Sequence, residues 1–350
     1  MDYHEREQQV GTALRETRLM PSTEAYTVTV ETFESITSYW LNPVSSLNWD
    51  CLFVLPAWLR VWWDSFGGGL TPFLCSVTHP SGELIGIAPL VLHGGRTSFM
   101  GSADVCDYLD FVVIPGKESE VLQVLIKHLK QQGVTHLDLG PVRQDSTVLA
   151  ALTHLAKSLG CEFSCRQEDV SLELDLPATW EEFLLSLTGK ERHEVRRKIR
   201  RLDEAASIQF RFLEDTQEIM IALDAFLSLF RMSRPEKAAF MTPRMTAFFR
   251  SLAETMAELK ILKLSFLDLD GTPAAAALCF DYKATTYLYN SGHEPRFRPL
   301  SAGLLGKVFS IRESIRRGRK KYDFLKGAET YKYRLGGRAV PLYRCQVELR

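Results

Sequence analysis

Residues 299–337 read PLSAGLLGKVFSIRESIRRGRKKYDFLKGAETYKYRLGG, and this stretch decides the fold. Pro299 and the small-residue loop Ser301-Ala302-Gly303 open a helix over 302–317. The cations of Arg316–Lys321 stand where that helix ends, at the negative end of its dipole. KYDFL (321–325) is a strand, and GAETYKYRL is a turn and a short helix.

Working outward, a last strand over 339–349 follows. Upstream, TTYLYNSG (285–292) is a strand, and ILKLSFLDLDGTPAAAALCFDY is a hairpin turning at Asp268-Leu269-Asp270-Gly271. Helices are expected over 217–232 and 243–257, preceded by TWEEFLLSL and a basic helix over 189–205. The order hairpin, strand, loop, helix, strand, short helix, strand recurs in weaker form nearer the N-terminus. There YTVTVETF (26–33) alternates as a strand does, and PAWLRVWWDSF (56–66) is a proline-opened helix stopped by Gly67-Gly68-Gly69. TPFLCSVT and LIGIAPLVLH form a hairpin across HPSGE. YLDFVVI (108–114), a helix over 117–132, HLDLG (136–140), a helix over 146–159 and a strand over 170–175 follow. The expected class is therefore mixed α/β, with two related domains in tandem, each a twisted mixed sheet flanked by helices. The parts are a mobile arm at 1–24, an N-terminal domain at 25–176 and a C-terminal domain at 177–350.

A chain of 350 residues exceeds one comfortable core, which agrees with two domains. Its 45% hydrophobic and 24% charged residues describe a folding chain, and its net charge of -1 excludes a global pull toward nucleic acid or membrane. The seven cysteines are scattered and read as reduced core thiols, with no second Cys/His pair near Cys161 and Cys165 to complete a metal site. No apolar run reaches signal-peptide or spanning length, so a cytoplasmic protein is expected.

The quoted stretch resembles the closing segment of the GNAT-superfamily branch of cellulose-biosynthesis-associated acetyltransferases. The loop Ser301-Ala302-Gly303 and the motif YDFLKGAETYK carry the likeness, although the family usually has proline where Ala302 stands. PAWLRVWW, ELIGIAPL, DYLDF and KERHEVRRKIRRL extend it from about residue 30 to 349. The tandem layout is also similar to that of FemABX-type aminoacyltransferases, which use aminoacyl-tRNA as donor.

The resemblance implies an acyl-CoA donor, acetyl-CoA or another, with its pyrophosphate on the backbone amides of Ser301, Ala302, Gly303, Leu304 and Gly306, where a helix terminus favours an anion. The plain alternative there is a capped helix with Ser301 as N-cap. An acid and a base are needed to move protons between nucleophile and leaving group. Tyr331, Glu329, Lys332 and Asp323 are the candidates, and for the last three a structural ion-pair set is the competing reading. Tyr289, His293, Tyr108 and Asp110, with Asp107 of the same DYLDF motif, are candidates for substrate binding, with packing as the alternative. No metal is expected.

The basic helix suits a polyanion, or else it is a solvated face over buried Val195, Ile199 and Leu202. No aromatic residues interleave with it, which argues against sequence-specific nucleic-acid recognition. The expected function is acyl transfer to an amine or hydroxyl of a sugar, peptide or amino-acid-like acceptor, linked to polysaccharide or envelope synthesis. The alternatives are a tRNA-dependent aminoacyltransferase and a non-catalytic accessory protein of the same fold.

Overall fold

The computed structural model describes residues 26–349, so the expectation for the arm at 1–24 lies outside the described residues. The N-terminal half contains β1 (Thr27–Val30), α1 (Phe33–Leu41), α2 (Pro56–Phe66), β2 (Thr71–Thr78), β3 (Leu84–His93), β4 (Arg96–Phe99), β5 (Val112–Val113), α3 (Glu118–Gln131), β6 (His136–Arg143), α4 (Thr147–Ser158) and β7 (Glu162–Asp175). The C-terminal half contains α5 (Trp180–Ser186), α6 (Gly189–Ala205), β8 (Ile208–Leu213), α7 (Thr216–Ser233), α8 (Pro235–Phe240), α9 (Pro243–Glu258), β9 (Leu262–Leu269), β10 (Thr272–Tyr282), β11 (Thr285–His293), α10 (Ala302–Arg316), β12 (Lys321–Lys326), α11 (Thr330–Arg334) and β13 (Arg338–Glu348).

Local chemistry accounts for the boundaries. Thr179 and Glu182 form a reciprocal capping box on α5, Thr188 caps α6, Asp215 caps α7, and Thr242 before Pro243 caps α9. Two expected strands are shorter. β1 ends at Val30 because Thr32 accepts from the Ser35 amide and starts α1. Of YLDFVVI only Val112–Val113 pairs, with β3. Asp110 there accepts the amides of Phe111 and Thr147, so its backbone bends away from the ladder.

All the strands join one sheet, ordered β1-β2-β3-β4-β6-β13-β7-β12-β11-β10-β9-β8, with β5 beside β3. The two halves exchange their last strands. β13, from the end of the chain, lies between β6 and β7, and β7 in turn pairs with β12. Cys165 and Cys345 face each other in the β7–β13 register and form a disulfide. This corrects the expectation of reduced thiols for these two, while Cys51, Cys75, Cys106, Cys161 and Cys279 are free, and strand exchange is the reason: residues 180 positions apart become cross-strand neighbours.

Alternation along β10 sorts the core of the C-terminal half. Ala276, Leu278 and Phe280 face α7, α9 and the N-terminal core, while Ala275, Ala277 and Cys279 face α10, α5 and α6. In each half two neighbouring strands are parallel and part after three residues: β4 from β6 beyond Ser98/Asp138, and β11 from β12 beyond Tyr287/Asp323. The first fork is filled by its own chain. Leu109 donates its amide to the Pro141 carbonyl, and its side chain lies so close to Gly101 that any Cβ there would come within 2.8 Å. The second fork is open.

Candidate functional site

A cleft of about 600 Å³ lies in the open fork. Leu288, Tyr289, Asn290, Ser291 and His293 of β11 form one wall, and Phe324, Leu325 and Lys326 of β12 the other. Two backbone features shape it. A bulge between Leu278 and Cys279 leaves Tyr289 as the extra residue of β11. On β12, Leu325 takes a left-handed φ of 60°, and its ladder to β7 breaks between Asp323 and Lys326.

Of the anticipated site residues, Tyr289, His293, Ser301, Gly303, Leu304, Glu329, Tyr331 and Lys332 line this cleft. Ser301 precedes α10 at φ 59° but makes no capping bond. Its hydroxyl accepts from Lys198 of the basic helix at 2.9 Å. Gly303 abuts the His293 ring, and a Cβ at 303 would come within 2.9 Å of it, so glycine is required by close approach. Ala302 and Gly306 do not reach the cleft: Ala302 is fully buried, and Gly306 packs on Ala275.

Lys332 is buried, and its ammonium donates to the carbonyls of Leu325, Lys326 and Gly327 at 2.7–3.0 Å and pairs with Glu329 at 2.9 Å. Every donor is taken, so Lys332 holds the β12–α11 turn in shape. Glu329 is half-exposed at the rim, and despite partial burial its bond to Lys332 keeps its carboxyl below the usual range. Burial, reinforced by Glu329, raises the Tyr331 phenol, so that it stays protonated.

Asp323, Tyr108 and Asp110 sit elsewhere. They line a separate charged cavity of about 470 Å³ with Arg143, Glu173 and Lys321. Asp323 is 1% exposed and accepts from Tyr108 at 2.9 Å, Ser171 at 3.0 Å and the Leu325 amide at 2.8 Å. It bears on the shape of the cleft through Leu325, whose left-handed turn it pins, and its charge reaches Asp107. Asp110 is pushed up to about 7 by burial, against the opposing amides of Thr147 and Phe111.

Lys307, Lys237 and Arg234 of the cleft were missed by sequence reasoning, whereas Asp107 of DYLDF was a candidate with packing as its alternative. Lys307 of α10 donates to the Gly303 carbonyl at 2.8 Å and lies 4.9 Å from the Tyr331 ring centre. Burial, with Lys237 and Arg234 nearby, pulls it down to about 7. Lys237 is pulled to about 8 by burial and Arg234, and His293 to about 4 by burial and Lys307. Asp107, on the 102–109 segment of the N-terminal half, is pushed up to about 6 by burial. The available signal for Lys307 was a lone cation among Leu304, Leu305 and Val308; for Lys237 there was none beyond RPEK following a helix.

No group of three or more His, Cys, Asp or Glu side chains able to hold a metal occurs among the described residues. No helix among them is long and apolar enough to cross a membrane.

Residues 189–333, which carry the open fork, match the family model of the acetyltransferase (GNAT) domain. No curated protein matches the sequence. Among solved structures the chain resembles FemX, with a TM-score of 0.61 over 91% of this chain and 96% of that one at 13% identity. A conserved protein of unknown function from Bacteroides thetaiotaomicron VPI-5482 gives 0.56 over 93% and 100% at 12% identity. L-PGS from Bacillus licheniformis gives 0.52 over 83% and 90% at 11% identity. At such identities the likeness is one of fold.

Proposed function

We propose that the chain is an acyltransferase working in the β11/β12 fork, which moves an acyl group from an acyl-CoA-type donor to an amine or hydroxyl of a sugar or amino-acid-like acceptor. The observation that carries this reading is the open fork. Two parallel strands part, and the freed edge of β11 faces a cleft in which Tyr331, Lys307 and Glu329 converge. The match of residues 189–333 to an acetyltransferase domain supports it.

The donor approaches along α10, where Ser301, Gly303 and Leu304 line the cleft at the helix start; the Ser301 and Leu304 amides are already bonded within the chain, which leaves the Gly303 amide for the donor. Its acyl carbonyl lies against the unpaired edge of β11, whose amides stabilise the oxyanion as the acceptor attacks. Lys307, with a value near 7, is a base of suitable strength and takes the proton that the nucleophile loses. The carbon–sulfur bond breaks, and Tyr331 gives its proton to the departing thiolate. Lys332, Asp323 and the Leu325 turn hold the second wall of the fork in place.

Thermal unfolding with millimolar acetyl-CoA, CoA and a longer acyl-CoA tests this, since a ligand that binds only the native state raises the midpoint by mass action. A ligand at a hundredfold over its Kd adds about 2.7 kcal/mol, a shift of a few degrees. Gly303→Trp, which fills the approach beside His293, abolishes the shift if the reading is right. Absence of any shift with the unaltered protein would sink it.

A second reading has its own observation. Lys198 of α6 bonds to Ser301, and Arg334 of α11 lies 4.0 Å from Glu191 of α6, so the basic helix stands at the mouth of the cleft. That arrangement suits aminoacyl-tRNA as donor. It predicts tRNA binding that weakens steeply with salt, where the first reading predicts nuclease-insensitive CoA binding.

A further inference from the structure

The two faces of the fork differ. α10 lies on one face, with His293 against Gly303 and Tyr331 packed into the same core cluster. α7 lies on the other, so tightly that a Cβ on Gly292 would come within 2.3 Å of the Phe230 backbone nitrogen. Tyr289 packs into the core on that second side. The α10 face is taken by the donor in the reading above, which leaves the α7–α8 face for the acceptor.

What stands on that face is a pair of cations without a salt-bridge partner; the carboxylate acting on both, Glu329, is itself bonded to Lys332. Arg234 precedes Pro235, so its backbone is extended (φ -158°, ψ 147°) as α8 begins, and Lys237 follows three residues on. Both line the cleft, and neither forms a salt bridge among the described residues. Lys237 donates to the Ser291 carbonyl and lies 4.6 Å over the Phe230 ring, and neither contact is with a carboxylate. The two cations oppose one another, and burial with Arg234 lowers the affinity of Lys237 for its proton. A cation pair built this way gains most from an anion that enters between them.

Asp107 lines the same cleft from the N-terminal half. Its carboxylate accepts no hydrogen bond among the described residues, and the two lysines acting on it are committed elsewhere: Lys326 to the Ala103 carbonyl, and Lys332 to three carbonyls and Glu329. It is a free acceptor for an amine.

We propose that the α8 side of the fork binds an acceptor that carries both an amine and an anionic group, the anion held by Arg234 and Lys237 and the amine directed to Asp107. This rests on the reading of the fork as the transfer site. The anion is a carboxylate or a phosphate, chemistries that share the same two cations.

Titration calorimetry tests the site without turnover. The probes are O-phosphoethanolamine and β-alanine, which carry amine and anion, against ethyl phosphate and propionate, which carry the anion alone. The unaltered protein is expected to bind at least one amine-bearing probe, and which one identifies the anion. Arg234→Gln with Lys237→Met weakens binding about tenfold or more, the effect of losing hydrogen bonds to a charged group. Asp107→Asn weakens the amine-bearing probes about tenfold and leaves the anion-only probes unchanged. The single substitutions Arg234→Gln and Lys237→Met serve where the pair lowers the unfolding midpoint. Failure of every probe, or equal binding by the variants, overturns the proposal. So does a parallel loss of acetyl-CoA affinity in Arg234→Gln/Lys237→Met, because the cations would then serve the donor. If the probes bind as expected and acetyl-CoA does not bind at all, the donor reading fails and the acceptor site stands.

Discussion

Lys307 holds its proton less tightly in the folded protein than in the unfolded chain, about 7 against the ordinary 10.5. Between those values the unfolded chain carries a proton that the folded one lacks, so this group's contribution to stability is unfavourable at neutral pH and improves as pH rises toward 10.5. Lys307→Met removes the burden. Its unfolding midpoint is expected to exceed that of the unaltered protein at pH 7, with the gap closing by pH 10.5, which thermal scans across that range would read. Asp110 has the opposite sign: with about 7 folded against 3.8, it costs stability as pH rises from 4 to 7. Neither shift was legible from residue type. A lysine in an amphipathic helix reads as a solvated cation until packing places Lys237 and Arg234 beside it.

At the scale of elements, the fork depends on how β11 and β12 are held apart. β12 turns at Leu325, and two buried side chains secure that turn: Asp323 accepts the Leu325 amide, and Lys332 takes the next carbonyls. Lys332→Met leaves three carbonyls without their donor and is expected to cost about 2–3 kcal/mol or more. Denaturant unfolding measures this, and acetyl-CoA affinity should fall with it if the turn shapes the cleft. On β11, Gly292→Ala drives a methyl group into the α7 backbone near Leu229 and Phe230. Helix and strand must move apart, and a loss of at least about 2 kcal/mol is expected on the scale of overpacked cores. An unchanged midpoint would contradict the packing described. Helices and hairpins were legible at this scale because caps, prolines and alternation are local. The short β5 was not, since Asp110 spends its carboxylate on backbone amides that the alternation in YLDFVVI does not reveal.

For the whole molecule, strand exchange has a thermodynamic consequence. β13 pairs with β6 and β7, and β7 with β12, so neither half keeps a complete sheet when the other unfolds. Although the sequence suggests a boundary near residue 176, we expect a single cooperative unfolding transition, with calorimetric and van't Hoff enthalpies in agreement. Two separated transitions would count against it. A chain ending at Gly337 loses the strand between β6 and β7 and should not fold. Reduction of the Cys165–Cys345 disulfide releases a loop of 180 residues from its constraint and is expected to lower stability by a few kcal/mol, on the order of 2–5. Thermal scans with and without a thiol reductant measure it.

The sequence by itself determined the mixed α/β class and the order of most helices and strands, though not α1, β4, β8 or α8, and it named Tyr331, Glu329, Gly303 and His293, which line one cleft. These follow from short-range patterns and from motifs whose spacing survives in one dimension. Only the tertiary structure decided that the C-terminal fork is open while the N-terminal one is plugged by Leu109, and that Asp323 faces a different cavity from its neighbours in YDFLKGAETYK. It also placed Asp107, Arg234 and Lys237 in the same cleft and brought Cys165 to Cys345. The physical reason is common to all of these. Which face a side chain takes, and what it meets there, depends on strand register and on exchange between distant segments, and neither leaves a local trace in the chain.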